Sequence, residues 1–336
     1  MAVALKRAEL PYTQFEAGQI GSTMGWWAPG TRWFSSNDRI SIAGVPLITP
    51  FQEKATREEY LAYLRSIVGQ FDLQIETYTA ITDIARPTAP DAPFTLTLRH
   101  ALHPAAPTRQ VTADKVILVT GGTATPNLLH IPGEDLPHVS HYFHDPHTYF
   151  NKRLLIVGGR NSAVEAAMRC HRAGAKVHFS YRRAGVDAKD IKYWLYPEFS
   201  GLLKSGAIVG HFNTCPTKIT PTHVTLGPSD ESSRPAEELP IDFVLLLTGY
   251  LADMSLAKAA GITLTTDQLL PTYNPDTMET DVPNLYIAGT AIAGTQKRYR
   301  VFLENCHVHV ERILRHLTHK APPPASAAPA FERPES

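Results

Sequence analysis

Two adjacent glycines, Gly158 and Gly159, a small residue at Ala163 and two neighbouring guanidinium groups, Arg182 and Arg183, stand at a spacing that can hold an adenine dinucleotide. The apolar run at 154–157 is too short for a helix and right for a buried strand. The glycines break that pattern, Asn161 or Ser162 can cap a helix, and Ala163, Ala167 and Cys170 fall on one helical face. Gly174 ends the helix, and residues 176–180 read as a second strand. In such a β-α-β unit, backbone N–H groups and the helix dipole meet a pyrophosphate at the first turn. The fingerprint G-x-G-x-x-G/A runs over Gly158, Gly159, Arg160, Asn161, Ser162 and Ala163, with Arg160 in place of the second glycine. Where a site for NAD carries an acidic residue, at the end of the second strand, this chain has Arg182 and Arg183. Two guanidiniums suit a 2′-phosphate, so the expected cofactor is NADPH. The same pattern also fits a β-α-β unit that holds no nucleotide.

Other groups offer weaker signals. Glu16 closes a strand-like run at 11–15, the place an adenosine ribose needs a carboxylate, although a solvated strand end reads the same. In a dinucleotide fold that residue follows the glycine turn by about 20 positions, so the expectation is a first strand and glycine loop upstream of Met1. The stretch 19–39 is rich in Gly, Ser, Thr and Trp, which suits a flat ring or an ordinary core. His138, His141, His144 and His147 recur every three residues, but Pro137 and Pro146 oppose one helix through them and no cysteine or carboxylate cluster completes a tetrahedral set. Cys170, Cys215 and Cys306 are far apart and form no C-x-x-C pair; Cys306 is the one cysteine considered for chemistry. No catalytic base is identified.

The elements that must position these groups are short. The chain has 336 residues, room for about two domains. Lys+Arg and Asp+Glu both number 32, so nothing points to nucleic acid. No apolar run approaches the ~20 residues of a membrane span, and the N-terminus lacks the order of a signal peptide, so cytoplasmic residence is expected. Residues 1–7 read as the end of a helix, and 56–71 as an amphipathic helix opened by a Thr56/Glu59 capping box. Strands are expected at 73–78, 94–99, 115–120, 208–212, 223–226, 239–248 and 282–288, with turns between 78 and 94. Residues 126–151 read as a connector, 192–203 as short helix and loop, and 302–317 as one helix.

Three stretches, ILVTGG (117–122), VLLLTGY (244–250) and LYIAGT (285–290), resemble the strand-to-loop crossings of two-dinucleotide-binding flavoproteins of the thioredoxin reductase type. WFSSNDRISIAGVPL (33–47), SHYF (140–143), IVGGRNSAVEAA (156–167), YWLYPEF (193–199) and FLENCHVH (302–309) resemble the bacillithiol-disulfide-reductase-like branch, where a basic side chain likewise replaces the second glycine. The likeness covers almost all of 1–317. It implies an α/β fold of two Rossmann-like, three-layer ββα domains, with an NADPH domain inserted in an FAD domain. The expected boundaries are 1–125 for the first part of the FAD domain, 126–250 for the NADPH domain, 251–319 for the return and 320–336 for a disordered tail. The resemblance implies FAD and NADPH as cofactors. Glu16, Gly21, Ser22, Gly121, Gly289, Thr290 and Ala291 fall on the flavin side, and Gly158 to Ala163 with Arg182 and Arg183 on the NADPH side. The family's first glycine loop, with its cysteine, is absent from this sequence, and Thr290 stands where thioredoxin reductases have Asp. The implied activity is NADPH-dependent reduction of a low-molecular-weight thiol disulfide, bacillithiol disulfide-like, by a flavoprotein. A flavin monooxygenase and a non-catalytic NADP-binding protein are the alternatives. A small-molecule disulfide or other electron acceptor is the expected partner, and a homodimer would be ordinary for the superfamily.

Overall fold

The computed structural model describes every residue except 88, 90, 91, 231–233, 297–299 and 321–336; the expected tail lies outside the described residues from 321 onward. The described residues form two compact units, one drawn from 1–25, 30–125 and 250–320, the other from 26–29 and 126–249.

In the second unit, five parallel strands lie in the order Val209–Phe212, Lys176–Tyr181, Arg153–Val157, Phe243–Leu246, Val139–Ser140. Successive side chains alternate between the two faces. Leu154, Ile156, Val177 and Phe179 meet Ala163, Val164 and Ala167 of the helix Asn161–Arg172 and Phe199 of the helix Tyr196–Lys204. Leu155, Val157, Val244 and Leu246 face the other way. They pack on Ile219, Val224, Leu226 and Leu239 of an antiparallel meander, Thr214–Ile219, His223–Pro228 and Glu237–Pro240. With both faces covered, the central strands are continuous apolar runs. The layers are helix, parallel sheet and antiparallel sheet.

In the first unit, the helix Arg57–Gln70 opens at Thr56 with the expected capping box, and it buries Tyr60, Tyr63 and Ile67. Two parallel pairs, Gln14–Phe15 with Ile75–Glu76 and Val116–Leu118 with Leu285–Ile287, form separate two-stranded ladders. An antiparallel sheet of Thr79–Ala85, Phe94–His100 and Arg109–Ala113 packs Ile84, Phe94, Leu96 and Leu98 against Leu118, Leu285 and Ile287.

Several expectations are corrected. Residues 79–85 are a strand, not turns, because they pair with 95–100. The stretch 126–151 is no connector: Val139–Ser140 completes the five-stranded sheet by pairing with Val244 and Leu245. The last helix spans His307–Thr318, after a separate 3-10 turn at Leu303–Asn305 whose start is closed by Asn305 Oδ1 accepting from the Phe302 amide at 2.8 Å. The run 239–248 divides between meander strand Glu237–Pro240 and sheet strand Phe243–Leu246.

Candidate functional site

The glycine turn of the second unit links the strand Arg153–Val157 to the helix Asn161–Arg172. Gly158 has φ +150, and a Cβ on it would stand 2.5 Å from the Leu247 carbonyl oxygen and 2.8 Å from Ala163 Cβ. Glycine here lets the helix lie hard against the sheet, and Ala163 is small for the same reason. A Cβ on Gly159 would run into the ring of Tyr181, which lies over the turn.

The capping expectation is corrected. Arg160 is the N-cap residue, with φ −126 and no side-chain cap. Asn161 is already helical, and its Oδ1 accepts a bond from the Lys192 amide at 2.8 Å. Arg160 replaces glycine without strain, because its extended backbone is open to any residue. The first intrahelical bond runs from Val164 N–H to Arg160 O at 3.0 Å. The amides of Asn161, Ser162 and Ala163 therefore precede the hydrogen-bonded ladder and meet no capping side chain. Three donors and the positive end of a helix of 12 residues fit an anionic pyrophosphate.

Arg182 and Arg183 follow the neighbouring strand. Their backbone is tied down, with Ser229 Oγ donating to Arg182 O at 2.7 Å and Asn213 N–H donating to Arg183 O at 3.0 Å. Both side chains are exposed at the strand end, and Arg160 is exposed at the helix start. Arg183 Nη1 lies 3.5 Å from Asp190 Oδ2. Three guanidiniums around the turn suit a ligand with both a pyrophosphate and a further phosphate. Sequence reasoning missed Tyr181, Asp190 and the Asn161–Lys192 bond. Asp190 falls seven positions beyond Arg183, where the motif ends, and only tertiary folding returns it to that side chain.

In the first unit, Glu16 Oε1 accepts from Gly18 N–H at 2.8 Å and from Ser22 Oγ at 3.2 Å, so Glu16 and Ser22 are together at the strand end. Gly21, at φ +73, is glycine for packing: a Cβ there would stand 2.7 Å from Leu61 and 2.9 Å from Leu64. A second group forms where two parallel strands end side by side. Gly122 would place a Cβ 3.1 Å from Thr290 O, and Gly121 one 3.9 Å from Thr290 Oγ1. The Gly289 amide donates to His309 Nδ1 at 3.1 Å, and Ala291 is fully buried. Phe15, next to Glu16, packs in the same core as Leu118 and Ala291. These residues fit a ribose and the close approach of a ring. The helices of eight residues or more in this unit start after Thr56 and Cys306, neither behind a glycine turn among the described residues.

The remaining candidates are occupied otherwise. His138 Nε2 bonds Thr220 O at 3.1 Å, His141 Nε2 lies 3.5 Å from Glu134, and His144 and His147 are exposed; no metal-binding group of three exists among the described residues. Burial pushes the Cys170 and Cys306 thiols up to about 12, and Cys306 Sγ donates to Phe302 O at 2.8 Å. Neither is set to form a thiolate at neutral pH. Trp33 packs on Tyr60, 4.5 Å between rings, as part of the core. No described helix is long and apolar enough to cross a membrane.

The pyridine nucleotide-disulphide oxidoreductase family matches residues 1–289. Bacilliredoxin reductase Bdr of Bacillus subtilis (strain 168) is 30% identical over 92% of this chain and 90% of its own length. The solved bacillithiol disulfide reductase of Bacillus cereus superposes with a TM-score of 0.86 at 28% identity, covering 94% of both chains. A flavin-containing monooxygenase of Stenotrophomonas maltophilia shares the fold at a TM-score of 0.69 and 18% identity, covering 95% of this chain and 94% of its own. A glycine turn on a doubly covered sheet, and likeness along nearly the whole length, give one answer: the chain belongs to the pyridine nucleotide-disulphide oxidoreductase family, oxidoreductases that use FAD and NADPH.

Proposed function

We propose that this protein takes electrons from NADPH and delivers them to a small-molecule disulfide of the bacillithiol disulfide kind. One observation carries the reading: a helix start left uncapped behind Gly158–Gly159, with Arg182 and Arg183 at the end of the adjacent strand. The names of its relatives, bacilliredoxin reductase and bacillithiol disulfide reductase, support the acceptor class. NADPH supplies a hydride when bound. The amides of Asn161, Ser162 and Ala163 hold the pyrophosphate, Arg182 and Arg183 hold the 2′-phosphate, and the packed turn fixes the distance between them. Over a full cycle, two electrons from NADPH and one further proton convert one S–S bond into two thiols. Burial raises the Cys170 and Cys306 thiols to about 12, which argues against either one attacking the disulfide.

The test is a fluorescence titration with NADPH and NADH, followed by anaerobic NADPH oxidation with bacillithiol disulfide. Arg182→Ala with Arg183→Ala should weaken NADPH by about tenfold or more, about 1.4 kcal/mol, and leave NADH nearly unchanged. Equal losses for both nucleotides would remove the 2′-phosphate assignment. Substrate-dependent oxygen uptake with no thiol formed would remove the disulfide assignment.

A further inference from the structure

Beyond the two arginines, the 2′-phosphate end of the site carries a built carboxylate. Asp190 lies in a 3-10 turn, Ala188–Asp190, that Asp187 caps by accepting from the Lys189 amide at 2.9 Å. Two residues on, the Lys192 amide is held by Asn161 Oδ1 at 2.8 Å, at the first position of the nucleotide-side helix. The segment is thus pinned between the strand end that carries Arg183 and the helix start that faces the pyrophosphate. Pinning sets Asp190 Oδ2 3.5 Å from Arg183 Nη1, with the carboxylate side chain 29% exposed against 57% for the guanidinium. Arg182, its neighbour, has no carboxylate partner among the described residues. The pair of arginines is therefore unequal: Arg182 faces no carboxylate among the described residues, and Arg183 already lies beside one.

We propose that Asp190 is a specificity-determining residue that lowers this site's preference for NADPH over NADH. This inference rests on the NADPH reading above. A 2′-phosphate brings up to two negative charges to a guanidinium that Asp190 already holds, so it must displace or face that carboxylate. A ribose 2′-hydroxyl brings none, and a carboxylate is the group that accepts a hydrogen bond from it. The same side chain opposes one dinucleotide and suits the other.

The experiment is titration of the full chain with NADPH and with NADH, in wild type, Asp190→Asn and Asp190→Glu, at low and at physiological ionic strength. Asp190→Asn keeps size and removes charge. It should tighten NADPH by about two- to fivefold at low salt, the scale of an exposed ion pair, without tightening NADH, and the gain should shrink as salt rises. Asp190→Glu should restore the wild-type ratio of the two dissociation constants. An unchanged ratio in Asp190→Asn, or an equal gain for both nucleotides, overturns the role of Asp190 while leaving the NADPH site standing. No binding of NADPH by wild type overturns both.

Discussion

His309 should make the first unit lose stability as the medium turns acid, by an amount the structure sets. The side chain is 5% exposed, and its Nδ1 accepts the Gly289 N–H at 3.1 Å. Acceptance at Nδ1 requires the neutral ring with its proton on Nε2. Burial, then the nearby charges of Arg312 and His307, lower its pKa from 6.5 to about 4. A histidine lowered in the fold binds fewer protons there than in the unfolded chain between these two values. Stability is therefore full above pH 6.5 and falls as pH drops towards 4. The share lost is about 1 kcal/mol at pH 5.5 and roughly 2 to 3 kcal/mol at pH 4.5. The perturbation is His309→Asn, whose amide oxygen can replace Nδ1 and carries no titrating proton. Urea unfolding at pH 7.5, 5.5 and 4.5 gives the comparison. His178 is also lowered, by burial and by His211, so wild type and variant both retain its contribution and only their difference counts. The wild type should lose more than the variant by the amounts above. A variant whose stability falls with pH as steeply as the wild type would show that His309 does not hold Gly289 through a neutral ring.

Gly158→Val should abolish nucleotide binding by a route other than blocking the pyrophosphate. The new Cβ meets the Leu247 carbonyl and Ala163, and φ +150 strains any side chain, so the second unit should lose roughly 1 to 3 kcal/mol or fail to fold. Thermal unfolding checks this, and a variant as stable as wild type but unable to bind NADPH would contradict it. Asp242 holds Arg153 through Nη2 at 2.7 Å and its backbone amide at 2.8 Å, which pulls the carboxyl down to about 2. That support is present above the ordinary carboxylate range and is lost as pH falls towards 2. Because the pair is partly exposed, Asp242→Asn should cost only about 1 kcal/mol at neutral pH in urea unfolding, and no cost would mean solvent already screens it.

Local patterns were legible where the forming interactions are local. The Thr56/Glu59 capping box lies within four residues, and the helix 57–70 follows from it. The glycine turn at 158–159 and the helix after it announce themselves by apolar period and breaker residues. Strands whose partners are distant were not legible. Val139–Ser140 is two residues long and is a strand only because Val244 and Leu245 lie beside it. Thr79–Ala85 has an irregular burial pattern with a register shift between Ile81 and Asp83, so no clean alternation marks it.

By itself the sequence pointed to the class of chemistry: the glycines, the small residue at 163 and the paired arginines form the pattern of a dinucleotide turn, legible because backbone sterics and helix ends act over a few residues. Only tertiary structure decided how each of these is used. It left the helix start uncapped by turning Asn161 to Lys192, gave Gly158 to helix packing, set His309 under Gly289 and brought Asp190 back to Arg183. Those are contacts between residues 7 to 89 positions apart, with Arg183–Asp190 and Gly158–Leu247 at the extremes. A side chain's hydrogen-bond partner and its burial depend on what the fold lays beside it, and no local pattern encodes that.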